Sequence, residues 1–152
     1  MLVLDLAEPR ALPVTQGEPA DFPFCWEICG LDVENPLVSW GHLEMLLGEL
    51  GSCVDLSWLR FGRTDDVRRT AQTMGTPGRA YVEFLAERDD AVFPVRPLGP
   101  LGQPVQLINA EGFSVETFTE EIWSSPGAEA AAIRRWLENG STAGLALREL
   151  RF

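Results

Sequence analysis

"RAYVEFLAERDDAVFPVRP" occupies residues 79–97, and its alternation decides the fold. Ala80, Val82, Phe84 and Ala86 fall on one side of an extended chain, with Tyr81, Glu83, Leu85 and Glu87 on the other. A period of two with one apolar side is the pattern of a half-buried strand. "ERDD" then reverses the chain into "AVFPVRP", where Pro94 predicts an edge strand or a bulge because it has no N–H for a ladder. The glycine–proline loop "PLGPLGQP" (97–104) leads to "VQLIN" (105–109), the turn "NAEG" (109–112) and "FSVETFT" (113–119). Strands that follow one another through short turns pair antiparallel.

Helices flank these strands. In "SWGHLEMLLGELG" (39–51), Leu43, Leu46, Leu47 and Leu50 recur at helical spacing, with Ser39 as N-cap and Gly51 as the stop. "CVDLSWLRF" (53–61) puts Val54, Leu56 and Trp58 at period two and predicts a strand. "TDDVRRTAQTMG" (64–75) predicts a short helix capped by Thr64 with Asp65 and Asp66 in its first turn. Near the end, Ser125-Pro126 opens a helix whose apolar stripe is Ala128, Ala132, Ile133, Trp136 and Leu137, while Arg134, Arg135 and Glu138 face water. Asn139-Gly140 stops it, and "AGLALREL" (143–150) supplies a closing strand. The expected fold class is α+β: an antiparallel sheet with helices packed on one face. Residues 1–36, where "EPRALPVTQGEPADFPF" (8–24) is punctuated by proline and acid, read as an irregular arm over a single domain spanning 37–152.

Composition narrows the function. The 152 residues suit one domain with a real core. Twenty-three acidic residues against twelve basic ones give a formal net charge of -11. Every basic residue is Arg, which excludes a lysine Schiff base, an amine nucleophile and a P-loop lysine. Such acidity argues against direct nucleic-acid binding and favours a basic partner. No apolar run approaches the roughly 20 residues of a membrane span, and "MLVLDLAEPRALP" (1–13) lacks the features of a signal peptide. The expectation is a cytoplasmic protein that does not engage membranes, with reduced thiols at Cys25, Cys29 and Cys53.

Candidate chemistry is sparse. Cys25, Cys29, His42 and Cys53 have the residue types for zinc, but the order C-x3-C-x12-H-x10-C has a wide first pair and no tight second pair. We read the cysteines as small core residues and expect no metal and no cofactor. His42 is the only histidine and has no nucleophile motif beside it, so no catalytic residue is assigned. The more suggestive constellation is "EGFSVETFTEEIW" (111–123), in which Glu111, Glu116, Glu120 and Glu121 alternate with Phe113, Phe118 and Trp123. Asp89 and Asp90 lie in a turn expected nearby. Asp89, Asp90, Glu111, Glu116, Phe118, Glu120, Glu121 and Trp123 form the candidate partner-binding surface, because carboxylates around aromatic anchors suit an arginine- or lysine-rich partner. The same residues would equally make a polar sheet face with Phe118 and Trp123 packed beneath the last helix.

The element order, together with "EAAAIRRWLENGSTAGLALREL" (129–150) and the central strand "RAYVEF" (79–84), resembles the deaminase-associated immunity family of bacterial polymorphic toxin systems. The likeness covers roughly residues 39–150. Family members tend to carry proline after the helix and tryptophan in the last strand, where this chain has residues such as Ala143 and Ala146. The resemblance implies a non-catalytic immunity protein that binds a cognate toxin domain and blocks its active site. The alternative is a small cofactor-free enzyme or ligand-binding protein, such as a biosynthetic tailoring protein, with a pocket between sheet and arm lined by Trp26, Trp40, Trp58 and Tyr81.

Overall fold

The computed structural model describes residues 22–29, 31, 33–53, 56–66, 68–88, 91–98, 102–108, 112, 114–142 and 145–149, the side chains of 86–88, 91–94, 98, 146, 147 and 149 excepted. Among the described residues the elements run β1 (Phe24–Ile28), β2 (Asn35–Pro36), α1 (Trp40–Gly48), β3 (Trp58–Arg63), β4 (Thr70–Thr76), β5 (Arg79–Arg88) and β6 (Ala91–Leu98). There follow β7 (Pro104–Ile108), β8 (Ser114–Phe118), a 3-10 turn (Thr119–Glu121), α2 (Pro126–Asn139) and β9 (Ala146–Glu149). One sheet has the order β2-β1-β3-β4-β5-β6-β9, and β7-β8 forms a separate hairpin. Every pairing is antiparallel. The fold is α+β, as the alternation predicts.

The alternation of β5 extends across the sheet. Register places Trp26, Phe61, Ala71, Phe84 and Val95 in one row, and Leu59, Thr73 and Val82 in the next. All of these side chains are buried, and Trp26, Leu59, Phe61, Ala71, Val82 and Phe84 meet Leu43, Leu46 and Leu47 of α1 and Ala132, Ile133 and Leu137 of α2 in the main core. Both helices therefore cover the same face. Trp136 stacks on Phe84 with ring centroids 4.9 Å apart and sends its Nε1–H to the Thr70 carbonyl. Such a stack contributes ~1 kcal/mol beyond the area it buries.

Local signals hold at both helix starts. Ser39 Oγ accepts from His42 N–H, and Ser125 Oγ from Ala128 N–H. Gly140 ends α2 in the left-handed region at φ 68°. Two arginines, Arg63 at the end of β3 and Arg69 just before β4, reach the last turn of α2: Arg63 donates to the Leu137 carbonyl and Arg69 to that of Trp136. Positive charge there also complements the helix dipole.

Five expectations need correction. The helix predicted over 64–75 is a turn followed by β4. Asp66 does not open a helix; its carboxylate accepts from Arg68 N–H and its carbonyl from Arg69 N–H, which closes the turn. The β-branched Thr70 and Thr73 then pair on both sides, with β3 and β5, and Thr76 pairs with β5, and that tertiary pairing overrides the weak helical signal. The strand predicted over 53–61 begins only at Trp58, since buried Leu56 lies in a short turn whose amide bonds the Cys53 carbonyl. Pro94 sits inside the sheet opposite Leu85, one residue outside the Val95–Leu98 span that pairs with β9. On α2 the buried set contains Glu129 and Ala130, while Ala128 is exposed. The arm read over 1–36 gives Phe24–Ile28 to the sheet as an inner strand, and 1–21 lie outside the described residues.

Gly75 is the tightest point of the β4–β5 hairpin. It has φ +136°, and a Cβ there would collide with the carbonyl oxygen of Arg79 and lie 2.7 Å from Ala80 Cα. Gly75→Ala is expected to cost roughly 2–3 kcal/mol of unfolding free energy. Gly48→Ala, where nothing lies within 4 Å, should stabilise α1 by about 0.5–1 kcal/mol. Denaturant titration of both variants checks the pair, and a harmless Gly75→Ala would contradict the geometry.

Candidate functional site

The opposite face of the sheet carries a row of polar side chains. Register sets Glu27 against Arg60, Arg60 against Gln72, Gln72 against Glu83, and Arg96 against Arg148. Arg60 donates to Glu27 at 2.9 Å. One oxygen of Glu83 accepts from Gln72 at 2.6 Å, and the other takes the Nε and Nη2 of Arg96 at 2.9 and 2.8 Å. Glu83 and Arg96 are only 5% and 4% exposed, so this pair is desolvated and held by more than Coulomb attraction. The guanidinium of Arg96 also lies 4.3 Å from the Tyr81 ring centroid.

The β7-β8 hairpin stands over one end of this face. Leu107, with Val115 and Ile122, packs on Met74, Tyr81 and Trp58 to make a second, smaller core. Polar contacts fasten the same hairpin: Arg96 Nη1 donates to the Glu116 carbonyl at 2.9 Å. Arg148 of β9 forks onto Glu121, Nε to Oε2 at 2.6 Å and Nη2 to Oε1 at 2.8 Å. Glu121 also accepts from the Thr117 hydroxyl and the Phe118 amide. Burial pushes the Glu121 carboxyl up, but the hydrogen bonds of Arg148 and Thr117 and the charges of Arg148 and Arg96 outweigh it, leaving it below the ordinary range.

Between hairpin and sheet lies an open groove of about 600 Å³. Trp58, Gln72, Tyr81, Glu83, Glu116 and Arg148 are among its walls. A smaller depression of about 200 Å³ continues along the same face at Cys25, Glu27, Glu34, Arg60 and Gly62. There the Cys25 thiol donates to the Gly62 carbonyl, and burial, with Glu34 and Glu27 nearby, pushes it up to about 12. It is not a thiolate nucleophile at neutral pH.

The structure sorts the sequence-derived candidates. Glu116 is exposed on the groove wall, and Glu120 is exposed on the 3-10 turn. Phe118 is half-buried with the Arg148 guanidinium 4.9 Å from its ring centroid. Glu121 is buried and spent on Arg148, so it is a fastener of the hairpin rather than a free carboxylate. Trp123 packs against the main core and bridges Ala80 through its backbone, which makes it a support. Asp89, Asp90 and Glu111 lie outside the described residues. The stretch 111–123 is not one strand, because Glu121 folds back onto Thr117 and Phe118 and turns the chain after β8.

The aromatic pocket expected from Trp26, Trp40, Trp58 and Tyr81 does not assemble as a unit. Trp58 and Tyr81 line the groove, whereas Trp40 clusters with Phe22 and Phe24 and Trp26 packs edge-on to His42 in the helix-side layer. His42 is 4% exposed, and its Nδ1 accepts the Val38 N–H, which places the proton of a neutral ring on Nε2. Among the described residues no three Cys, His, Asp or Glu side chains gather as a metal site, and no helix is long and apolar enough to cross a membrane. Sequence reasoning missed Glu83, Arg96 and Arg148. The signal was present for Glu83, which the period of β5 assigns to the face away from the helices.

Glu121→Gln is expected to cost about 3 kcal/mol, because Arg148 loses its buried counter-charge while Arg96 keeps Glu83. Its lowered carboxyl stabilises the fold above the ordinary range of glutamate and ceases to do so as pH falls through the folded value. Below about pH 4.5 the hairpin should loosen in the native protein, while Glu121→Gln loses that share of the acid limb. Chemical denaturation between acid and neutral pH checks both, and superimposable pH profiles would contradict the assignment. Compared with models of known protein families and with curated proteins, the chain matches none.

Proposed function

We propose that this protein is an immunity-type inhibitor that binds a basic toxin domain through the free face of its sheet and the hairpin above it. One observation carries the reading. Among the described residues three arginines of this face are committed to internal carboxylates, Arg60 to Glu27, Arg96 to Glu83 and Arg148 to Glu121, while Arg79 is exposed at the start of β5. Glu34, Glu116 and Glu120 are exposed and make no ion pair among the described residues, so three carboxylates stand against Arg79 and the surplus presented to solvent is anionic. The net charge of -11 adds a long-range field of the same sign.

A cationic partner gains in two ways from this arrangement. Its encounter is steered, and its basic side chains meet carboxylates whose geometry is fixed by a rigid sheet rather than by a loop. Trp58, on the groove wall, adds apolar area of the kind that anchors an interface. Binding needs no turnover, metal or cofactor. The resemblance of residues 129–150 and 79–84 to the deaminase-associated immunity family supports the same role, in a bacterial cytoplasm where cysteine thiols stay reduced.

The groove volume also suits a small-molecule ligand, which is the second reading. Affinity capture with the purified protein, followed by kinetics on the captured partner, separates the two. Under the inhibitor reading a basic partner binds at one-to-one stoichiometry and loses its activity. The double variant Glu116→Arg, Glu120→Arg should then slow association about tenfold at low salt. A captured partner whose on-rate ignores this reversal would remove the proposed surface. Quenching of Trp58 by a small metabolite fraction, with no protein partner, would favour the second reading.

A further inference from the structure

Three carboxyls are buried among the described residues, and only one lacks a cation. Glu83 has Arg96 and Glu121 has Arg148, whereas Glu129 meets a single hydroxyl. Glu129 sits in the first turn of α2, faces the sheet and is 1% exposed. Its Oε2 lies 2.5 Å from Thr73 Oγ1, and the same Oγ1 lies 3.0 Å from the Tyr81 carbonyl oxygen. Thr73 is itself wholly buried on β4.

A hydroxyl has one proton to donate. An ionised Glu129 and the Tyr81 carbonyl would compete for it. A neutral Glu129 removes the conflict: its O–H donates to Thr73 Oγ1, and Thr73 donates to the Tyr81 carbonyl. Both bonds are then made, and no unpaired charge remains inside the core.

Among the described residues no neighbouring element supplies a compensating charge. α2 packs on α1, β3 and β4. From α1, Glu44 is exposed and the buried His42 has its Nδ1 engaged by Val38. From β3, Arg60 and Arg63 are paired with Glu27 and Asp65. β4 carries no ionisable side chain, and Tyr81 and Glu83 of β5 line the groove on the other face. On α2 itself, Arg134, Arg135 and Glu138 are exposed. The helix dipole favours a charge in this first turn, but it is weaker than the cost of burying a lone carboxylate. Burial pushes the Glu129 carboxyl up to about 7, against a smaller downward pull from the Thr73 hydrogen bond.

We propose that the folded protein holds Glu129 as a neutral carboxylic acid that bolts the first turns of α2 to β4 through Thr73, and that its ionisation releases those turns from the sheet. The latch is tightest at mildly acidic pH. It weakens as pH rises above the ordinary glutamate range, and the loss is complete once pH passes the folded value. The latch is independent of the partner surface, which lies on the opposite face.

Hydrogen exchange of the α2 amides, followed from pH 5 to 8 and corrected for intrinsic exchange, tests it. In the native protein the opening constant of the first turns should rise roughly tenfold per pH unit up to about 7 and then level off. Glu129→Gln keeps a donor for Thr73 without the charge, and its opening constant should stay flat. Parallel profiles for the two proteins would overturn the proposal. Should the variant fail to fold, the side-chain carboxyl 13C resonance of Glu129 in the native protein decides the matter. A midpoint near 7 supports the latch, and one near the ordinary glutamate value overturns it.

Discussion

The carboxylate of Glu121 fixes how the two sheets sit. It follows β8 by a single turn, is buried, and receives the forked guanidinium of Arg148 from the edge strand of the main sheet. Arg96 stands in register with Arg148 and lies 3.7 Å from the same carboxylate while gripping Glu83. Charge thus passes from hairpin to β9, β6 and β5 without a gap. A buried network of this kind adds little net stability over an apolar packing of equal volume, yet it is costly to break and selects one arrangement. Here the arrangement selected is a hairpin held over part of a sheet face, and the groove is what remains between them.

The division of the sheet into two faces follows from one rule applied strand by strand. Ala80, Val82 and Phe84 of β5 point to the helices and Tyr81, Glu83 and Leu85 to the groove, and the neighbouring strands repeat the alternation in register. The helix face is aliphatic and aromatic, closed by α1 and α2. The groove face carries carboxylates, arginines and Gln72 beside Trp58 and Tyr81, and the buried Glu83 and Glu121 are satisfied by Gln72, Arg96 and Arg148. A face whose charges are already paired changes shape little when a partner arrives, and the exposed glutamates at its margin supply the attraction.

Much of the scaffold was legible in the sequence. The alternation at residues 79–88, the caps Ser39 and Ser125 and the stop at Gly140 are local signals, and each sits where its physics predicts. The errors fall where distant pairing decides. Thr70–Thr76 has a weak helical pattern but lies between β3 and β5, and pairing with both strands, outside the segment itself, settles its state. The candidate site was legible as a region and not as a set of roles. Glu116, Glu120 and Glu121 look alike in sequence; only the position of Arg148, 27 residues beyond Glu121, distinguishes a fastener from a free carboxylate. Glu129 was hidden for a related reason: it borders an apolar stripe, and only the packing of α2 on Thr73 turns it inward.

The central claim is that the groove face, rather than the helix face, meets the partner. Amide hydrogen exchange with and without the bound partner tests this most directly, because each strand and helix reports on its own layer. The account predicts added protection in β3, β4, β7 and β8, with α1 and the exposed side of α2 unchanged. Protection confined to α1 and α2, with the groove strands unaffected, would contradict it.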